Sequence, residues 1–130
     1  MRLHEAFFMK AVQELATADL AWQSGDYNST ANRAYYAAFH AAIAVLALDG
    51  ITNSTNEHKW VHTTFSTHCV HRRKLFPSAF ASMLPDMMIL RHKADYSTEI
   101  IAKSKAETQL REARKFVATL QEKVNYAPES

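Results

Sequence analysis

Hydrophobic residues recur along most of this chain at steps of three and four, the spacing of one face of an α-helix. Phe8, Val12, Leu15, Ala18 and Trp22 predict an amphipathic helix over about residues 3–24, which Gly25 ends. Asp26 is then an N-cap for a second helix over about 27–49, with Ala31, Tyr35, Ala38, Phe39, Ala42, Val45 and Leu46 on its apolar side and Asp49-Gly50 closing it. Thr52 to Asn56 read as a polar loop and the most mobile part of the domain. Trp60, Val61, Thr64, Phe65 and Cys69 give a third helix, about 57–71, a modest apolar stripe, until His71-Arg72-Arg73-Lys74 and Pro77 interrupt it.

A fourth helix is expected from about Ser78. Pro85 within it predicts a kink, a short break or the start of the stronger stretch bearing Met87, Met88, Leu90 and Arg91. Ser104-Lys105-Ala106-Glu107 has the form of a capping box, and Leu110, Ala113, Val117, Leu120 and Val124 follow at heptad-like steps, predicting a long final helix. Short connections between such helices favour an all-α antiparallel bundle of four to five helices, and no repeat or linker divides residues 1–130 into more than one domain.

Composition agrees: two glycines, three prolines and 48% hydrophobic residues suit a helical chain with few turns. The formal net charge of +2, from 15 Lys and Arg against 13 Asp and Glu, lacks the strong excess that marks a binder of phosphate backbones. Cys69 is the only cysteine, so neither an intramolecular disulfide nor a cysteine metal cage can form, and a reducing cytoplasm is the expected compartment. Glu5 and Lys10 fall within an N-terminus that has no long apolar run, so no signal peptide or membrane span is expected.

Two stretches carry candidate chemistry. On a helical wheel Arg33, Tyr36 and His40 share one side of the second helix, opposite Tyr35, Ala38, Ala42 and Val45, and can line a groove. The plainer reading pairs Arg33 with an acid and makes His40 a satisfied core histidine. Arg91 shares a helical face with Leu84, Met87, Met88 and Asp95, so its guanidinium should emerge from an apolar surface, and it can simply pair with Asp95 four residues on. His58 and His62, also four apart, invite a metal reading. No carboxylate or cysteine pattern completes such a site, so an exposed histidine-rich helix and no metal are expected. Arg72-Arg73-Lys74 reads as a solvated helix end or as a contact for RNA phosphates. The chain has no glycine-rich phosphate loop, and no Ser-His-Asp order stands out.

Three ordered blocks resemble the small stand-alone HEPN-domain proteins of prokaryotes: Asn32-Arg33-Ala34-Tyr35-Tyr36-Ala37-Ala38-Phe39-His40-Ala41, His58-Lys59-Trp60-Val61-His62 through Phe65, and Arg91-His92-Lys93-Ala94-Asp95-Tyr96. The resemblance spans nearly the whole chain. It implies a bundle of four or five helices that often forms a homodimer, with Arg-bearing segments meeting in a composite cleft. Many members are metal-independent endoribonucleases, others are toxins encoded beside a minimal nucleotidyltransferase antitoxin, and some are non-catalytic modules that bind nucleotide, RNA or a protein partner.

In the nuclease members a histidine follows the active arginine after four to six residues. Here the arginine would be Arg91, the residue five beyond it is Tyr96, and the nearby imidazole, His92, is adjacent. Cleavage by the ribose 2′-hydroxyl needs positive charge at the phosphate, a proton acceptor and a proton donor. The resemblance therefore implies Arg91 for the charge, His40 and His92 for the acid and base, and Arg33, Tyr36, Asp95 and Tyr96 for binding substrate or nucleotide, with no cofactor. Residues five apart on an ideal helix lie about 140° apart around its axis, so Arg91 and Tyr96 converge only where the helix unwinds or two protomers pool side chains. Tyr96 is in addition a candidate target for nucleotidylation by the cognate partner. Two other readings stand beside this ribonuclease-like toxin: a non-catalytic binding module, and a structural oligomer in which Arg33 and Arg91 only form ion pairs.

Overall fold

In a computed structural model, which describes residues 1–125, Gly25 adopts φ +83°, the left-handed conformation that ends a helix cheaply only at glycine. Its N–H donates to the Trp22 carbonyl (3.1 Å) and that of Asp26 to Ala21 (2.9 Å), closing α1, Leu3–Ser24. Asp26 then caps α2, Tyr27–Leu48, by accepting from the Ser29 amide at 3.1 Å. A bond from the Ser29 hydroxyl, and after it the one from the Ser29 amide, hold the Asp26 carboxyl below its ordinary range. A connection this tight makes α1 and α2 an antiparallel hairpin.

The third helical segment departs from a plain α-helix. It is α-helical as α3, His58–Thr64, and then widens into a π-helix over Phe65–Arg72. The Arg73 amide bonds the His68 carbonyl five residues back (3.0 Å). Phe65, Cys69 and Val70 are buried there, and three apolar residues at this spacing suit either helix, so hydrophobic periodicity alone does not separate the two. Asp49, just past α2, fastens the segment by accepting from His68 Nε2 (3.0 Å) and Arg73 Nη1 (2.6 Å). Burial would raise the Asp49 carboxyl, but these two partners outweigh it and hold it below its usual value. Burial pushes the Cys69 thiol up to about 12, which leaves it protonated and unreactive at neutral pH.

A 3-10 turn, Ser78–Ser82, runs directly into α4, Met83–Tyr96. The change of helix type comes two residues before Pro85, which therefore sits in the first turn of α4, where its missing N–H costs no helical hydrogen bond. The last helix, α5, is Lys103–Asn125. It begins one residue ahead of Ser104, and the Lys105 and Ala106 amides bond the Ala102 carbonyl at 3.1 Å. Ser104 thus lies inside the first turn, and the capping box expected there is not the start of the helix. Residues 126–130, included in the expected domain, lie outside the described residues.

Among the described residues there is no strand. Directions follow from cross-helix contacts. Asn32 near the start of α2 bonds Asp95 near the end of α4, so those helices are antiparallel. Asn28 bridges Ala94 near the end of α4 and Ile101 just before α5, while Gln109 further along α5 bonds the Met87 carbonyl near the start of α4, so α4 and α5 are antiparallel as well. α2 is the central element, buried from Ala31 to Leu46 nearly all round, and its many alanines let neighbouring helices approach closely. Phe65, Phe76, Phe80 and Phe116 stack beside it with ring centroids 5.3 to 5.9 Å apart.

Two amides position the polar end of the bundle. Buried Gln109 donates from Nε2 to the Ala31 and Met87 carbonyls, each at 3.0 Å, tying α5 to α2 and α4. Asn28 donates to the Ala94 carbonyl (3.3 Å) and accepts from the Ile101 amide (2.8 Å), pinning the α4–α5 connection to the start of α2. Gln109→Ala, which removes both bonds of a buried donor, is expected to destabilise the protein by about 1–3 kcal/mol, measured by urea unfolding.

Candidate functional site

Positions 33, 36 and 40 are spaced three and four apart, so they form one stripe of α2, and α4 lays Arg91 and Asp95 against it. The half-buried Tyr36 ring is the centre of the group. The guanidinium carbons of Arg33 and Arg91 lie 5.1 and 5.2 Å from its centroid, within cation-π range. The His40 ring stacks on it at 6.0 Å, and the His58 ring, from α3, meets it edge-on at 5.8 Å. Two guanidinium groups and two imidazoles thus surround one tyrosine.

A polar chain links the arginines. Arg33 Nε donates to Asn32 Oδ1 (2.7 Å), and Asn32 Nδ2 donates to both oxygens of Asp95 at 3.0 Å. Asp95 Oδ2 lies 2.8 Å from Arg91 Nε, with the Arg91 side chain only 12% exposed and that of Asp95 25%. The N–H of Arg91 Nε is not aimed at this carboxylate, so the contact is an ion pair and the buried Nε has no aligned acceptor. Arg91 Nη1 points instead toward Met88 Sδ, 3.7 Å away.

Tyr35, the neighbour of Tyr36, turns into the core and is fully buried. Its hydroxyl lies 2.6 Å from His58 Nδ1 and 2.7 Å from His62 Nε2. The expectation of an exposed histidine-rich helix is therefore corrected at these two residues, because α3 turns its His58–His62 face toward α2, where Tyr35 satisfies both rings. Burial pushes the Tyr35 phenol up, so it stays protonated. Burial, followed by the positive charges of Arg91 and His40, lowers His58. Burial and then His58 bring His62 down to about 4. Both imidazoles are neutral at pH 7.

This arrangement makes folding sensitive to acid. An unfolded chain protonates His62 near its ordinary value of about 6.5, whereas the folded chain does so only near 4, so the unfolded state binds more protons between those limits. Stability is expected to be full above about pH 6.5 and to be lost progressively as the pH falls toward 4. Urea unfolding midpoints across that range measure the loss, and His62→Gln should flatten the dependence.

The residues singled out from sequence divide into two groups. Arg33, Tyr36, His40, Arg91 and Asp95 come together around the Tyr36 ring and its polar chain. His40 is held by Glu14 of α1, whose Oε2 is 2.7 Å from its Nδ1. His92 is exposed and packs its ring on Tyr96 at 4.7 Å, away from the Tyr36 ring. Tyr96 is the last residue of α4 and 71% exposed, yet its ring reaches 5.7 Å from the Arg91 guanidinium carbon, because long side chains at a helix end bridge the angle between the two positions.

Sequence reasoning missed Tyr35, Glu14 and the inward role of His58 and His62. The four-residue histidine spacing was visible; the phenol that both rings meet was assigned to the apolar side of its helix. Two grooves lie elsewhere: one of about 420 Å³ is lined by Phe8, Met9, Val12, Gln121 and Val124, and one of about 380 Å³ by Met87, Leu90, Lys105 and Gln109. Neither includes Arg91, Tyr36 or His58. Among the described residues no helix is long and apolar enough to cross a membrane.

A protein of Methanocaldococcus jannaschii whose name marks it as a candidate toxin is 28% identical to this chain over 113 residues, which cover 87% of this chain and 82% of that protein. Residues 4–124 match the family described as HEPN domain, a span that takes in both the Tyr36 stripe and the Arg91 segment. The chain belongs to the HEPN domain family.

Proposed function

We propose that this protein is a HEPN toxin that cleaves RNA without a metal, acting in the cytoplasm as a homodimer whose Arg91 segments form a shared cleft. The observation that carries the reading is the convergence of Arg33, Arg91, His40 and His58 on one tyrosine ring. Such a site supplies both requirements of attack by a ribose 2′-hydroxyl: fixed positive charge for the phosphate and imidazoles to move protons. Arg91 binds the phosphate, with Arg33 beside it. Asp95 holds Arg91 in place, and Tyr36 and Tyr96 offer aromatic faces to the nucleotide. The likeness to a candidate toxin of Methanocaldococcus jannaschii supports the toxin role.

The partner is a nucleotidyltransferase antitoxin. Tyr96, 71% exposed at the end of α4, is accessible for nucleotidylation, which would add a charged group beside Arg91. Incubation with that enzyme and ATP should add one nucleotide to the intact mass of wild type and none to Tyr96→Phe.

A second reading is a non-catalytic module that binds nucleotide, RNA or a protein partner. The Asp95 carboxylate 2.8 Å from Arg91 Nε favours it, because an arginine already paired must exchange partners to engage a phosphate. Cleavage of a mixed RNA pool by purified wild type in EDTA decides between them. Cleavage that depends on Arg91 supports the nuclease, and saturable binding without turnover supports the module.

A further inference from the structure

We propose that His58 is the proton acceptor of RNA cleavage and that Tyr35 and His62 are positioning residues that lock it in the accepting tautomer. The inference rests on the ribonuclease reading above and names the base which that reading lacks. The chain has no histidine four to six residues beyond Arg91, and His92 packs on Tyr96 rather than on the Tyr36 ring. His58 comes from a different helix and reaches the wall that Arg91 also covers: its ring is 5.8 Å from the Tyr36 centroid, and the Arg91 guanidinium carbon is 5.2 Å from the same point. Phe39 stacks on the His58 ring at 4.5 Å and fixes its plane.

Counting protons leaves His58 two tautomers, and the proposed one carries its proton on Nδ1. The Tyr35 hydroxyl has one proton and lies within hydrogen-bond distance of two ring nitrogens, so it donates to one and accepts from the other. When it donates to His62 Nε2, His58 must donate to it from Nδ1, and the His58 lone pair then lies on Nε2. A hydrogen bond at one ring nitrogen setting the role of the other is the usual way proteins orient a histidine. Burial, and then the charges of Arg91 from α4 and His40 from α2, keep His58 neutral and able to accept at pH 7, while its neighbour His62 on the same helix is itself neutral there.

In the cleavage step His58 Nε2 takes the proton of the ribose 2′-hydroxyl as that oxygen attacks phosphorus. The bond from phosphorus to the 5′-oxygen breaks, and protonated His40, held through Nδ1 by Glu14, gives its Nε2 proton to the leaving oxygen. The products are a 2′,3′-cyclic phosphate and a 5′-hydroxyl. One proton is taken up and one released, so the site returns to its starting charge after exchange with water.

Two measurements test the proposal. In 15N-histidine NMR near pH 8, wild type and His62→Gln should show His58 protonated on Nδ1, since glutamine can still accept from Tyr35. In His62→Leu the tyrosine has His58 as its remaining acceptor, and the His58 proton should move to Nε2. A wild-type His58 protonated on Nε2 overturns the proposal. In RNA cleavage, His58→Ala and His58→Gln, each checked for folding by circular dichroism, should be slower by about 10²–10⁴-fold and should lose the limb of the rate profile that rises with pH. Wild-type cleavage left unchanged by both variants overturns the role of His58 while the ribonuclease reading stands; wild type that cleaves no RNA overturns both.

Discussion

Arg91→Ala is expected to slow RNA cleavage by about 10²–10³-fold, the usual loss when one fixed donor to a developing anionic charge is removed. The guanidinium is well placed for such a role, held over Tyr36 at 5.2 Å and beside Asp95 in a surface that leaves its side chain only 12% exposed. The same enclosure gives the variant a cost in stability. A fully buried ion pair that loses one partner costs about 3–5 kcal/mol. Asp95 retains both hydrogen bonds from Asn32 and is a quarter exposed, so the cost here should be smaller, about 1–3 kcal/mol. Cleavage kinetics in EDTA beside urea unfolding separate the two effects. Unchanged cleavage would remove Arg91 from the mechanism. A loss of stability at the top of the buried-pair range, with no wild-type cleavage, would make the arginine a structural group. Arg91→Lys sharpens the test, since it keeps the charge but not the planar fork that grips a phosphate with two donors.

Phe116→Ala is expected to have the largest effect on the fold, about 3–5 kcal/mol. Its ring is fully buried and packs at 5.3 Å from Phe65 and 5.4 Å from Phe80, joining α5 to the π-helix and to the 3-10 turn. Against a typical total of about 5–15 kcal/mol, such a cavity would leave the domain marginal or unfolded at room temperature. The urea midpoint should fall with the slope of the transition unchanged. A fall of less than about 1 kcal/mol would mean that the surrounding aromatic rings close over the gap. The site should suffer only indirectly, because the Tyr36 group is built on α2, α3 and α4.

The helix ends show how far local chemistry carries. Gly25 and Asp26 were legible because each acts within a few residues, one by taking φ +83° and the other by capping the Ser29 amide. Ser104 was misread for the complementary reason. The capping-box pattern is local, but α5 begins at Lys103 where Asn28 of α2 pins the preceding Ile101 amide, a contact 73 positions away. The π-helix at Phe65–Arg72 was hidden because its buried residues keep a spacing that an α-helix shares.

The candidate site divides in the same way. Periodicity places Arg33, Tyr36 and His40 on one stripe and Arg91 four residues from Asp95, since a helix fixes the relative direction of residues on its own face. The family blocks point to the same segments, and the match over residues 4–124 makes the family plain. What no pattern within one helix carries is which stripe meets which. That Tyr35 leaves its apolar neighbours to hold His58 and His62, that Glu14 orients His40, and that His58 instead of His92 stands by the Tyr36 ring are outcomes of packing between helices. The sequence alone therefore determines the helices and their polar stripes, because these follow from spacing and short-range hydrogen bonds, and its ordered blocks carry the likeness to the family. Only the tertiary structure decides the partners and protonation of the imidazoles, because burial and long-range contacts control both.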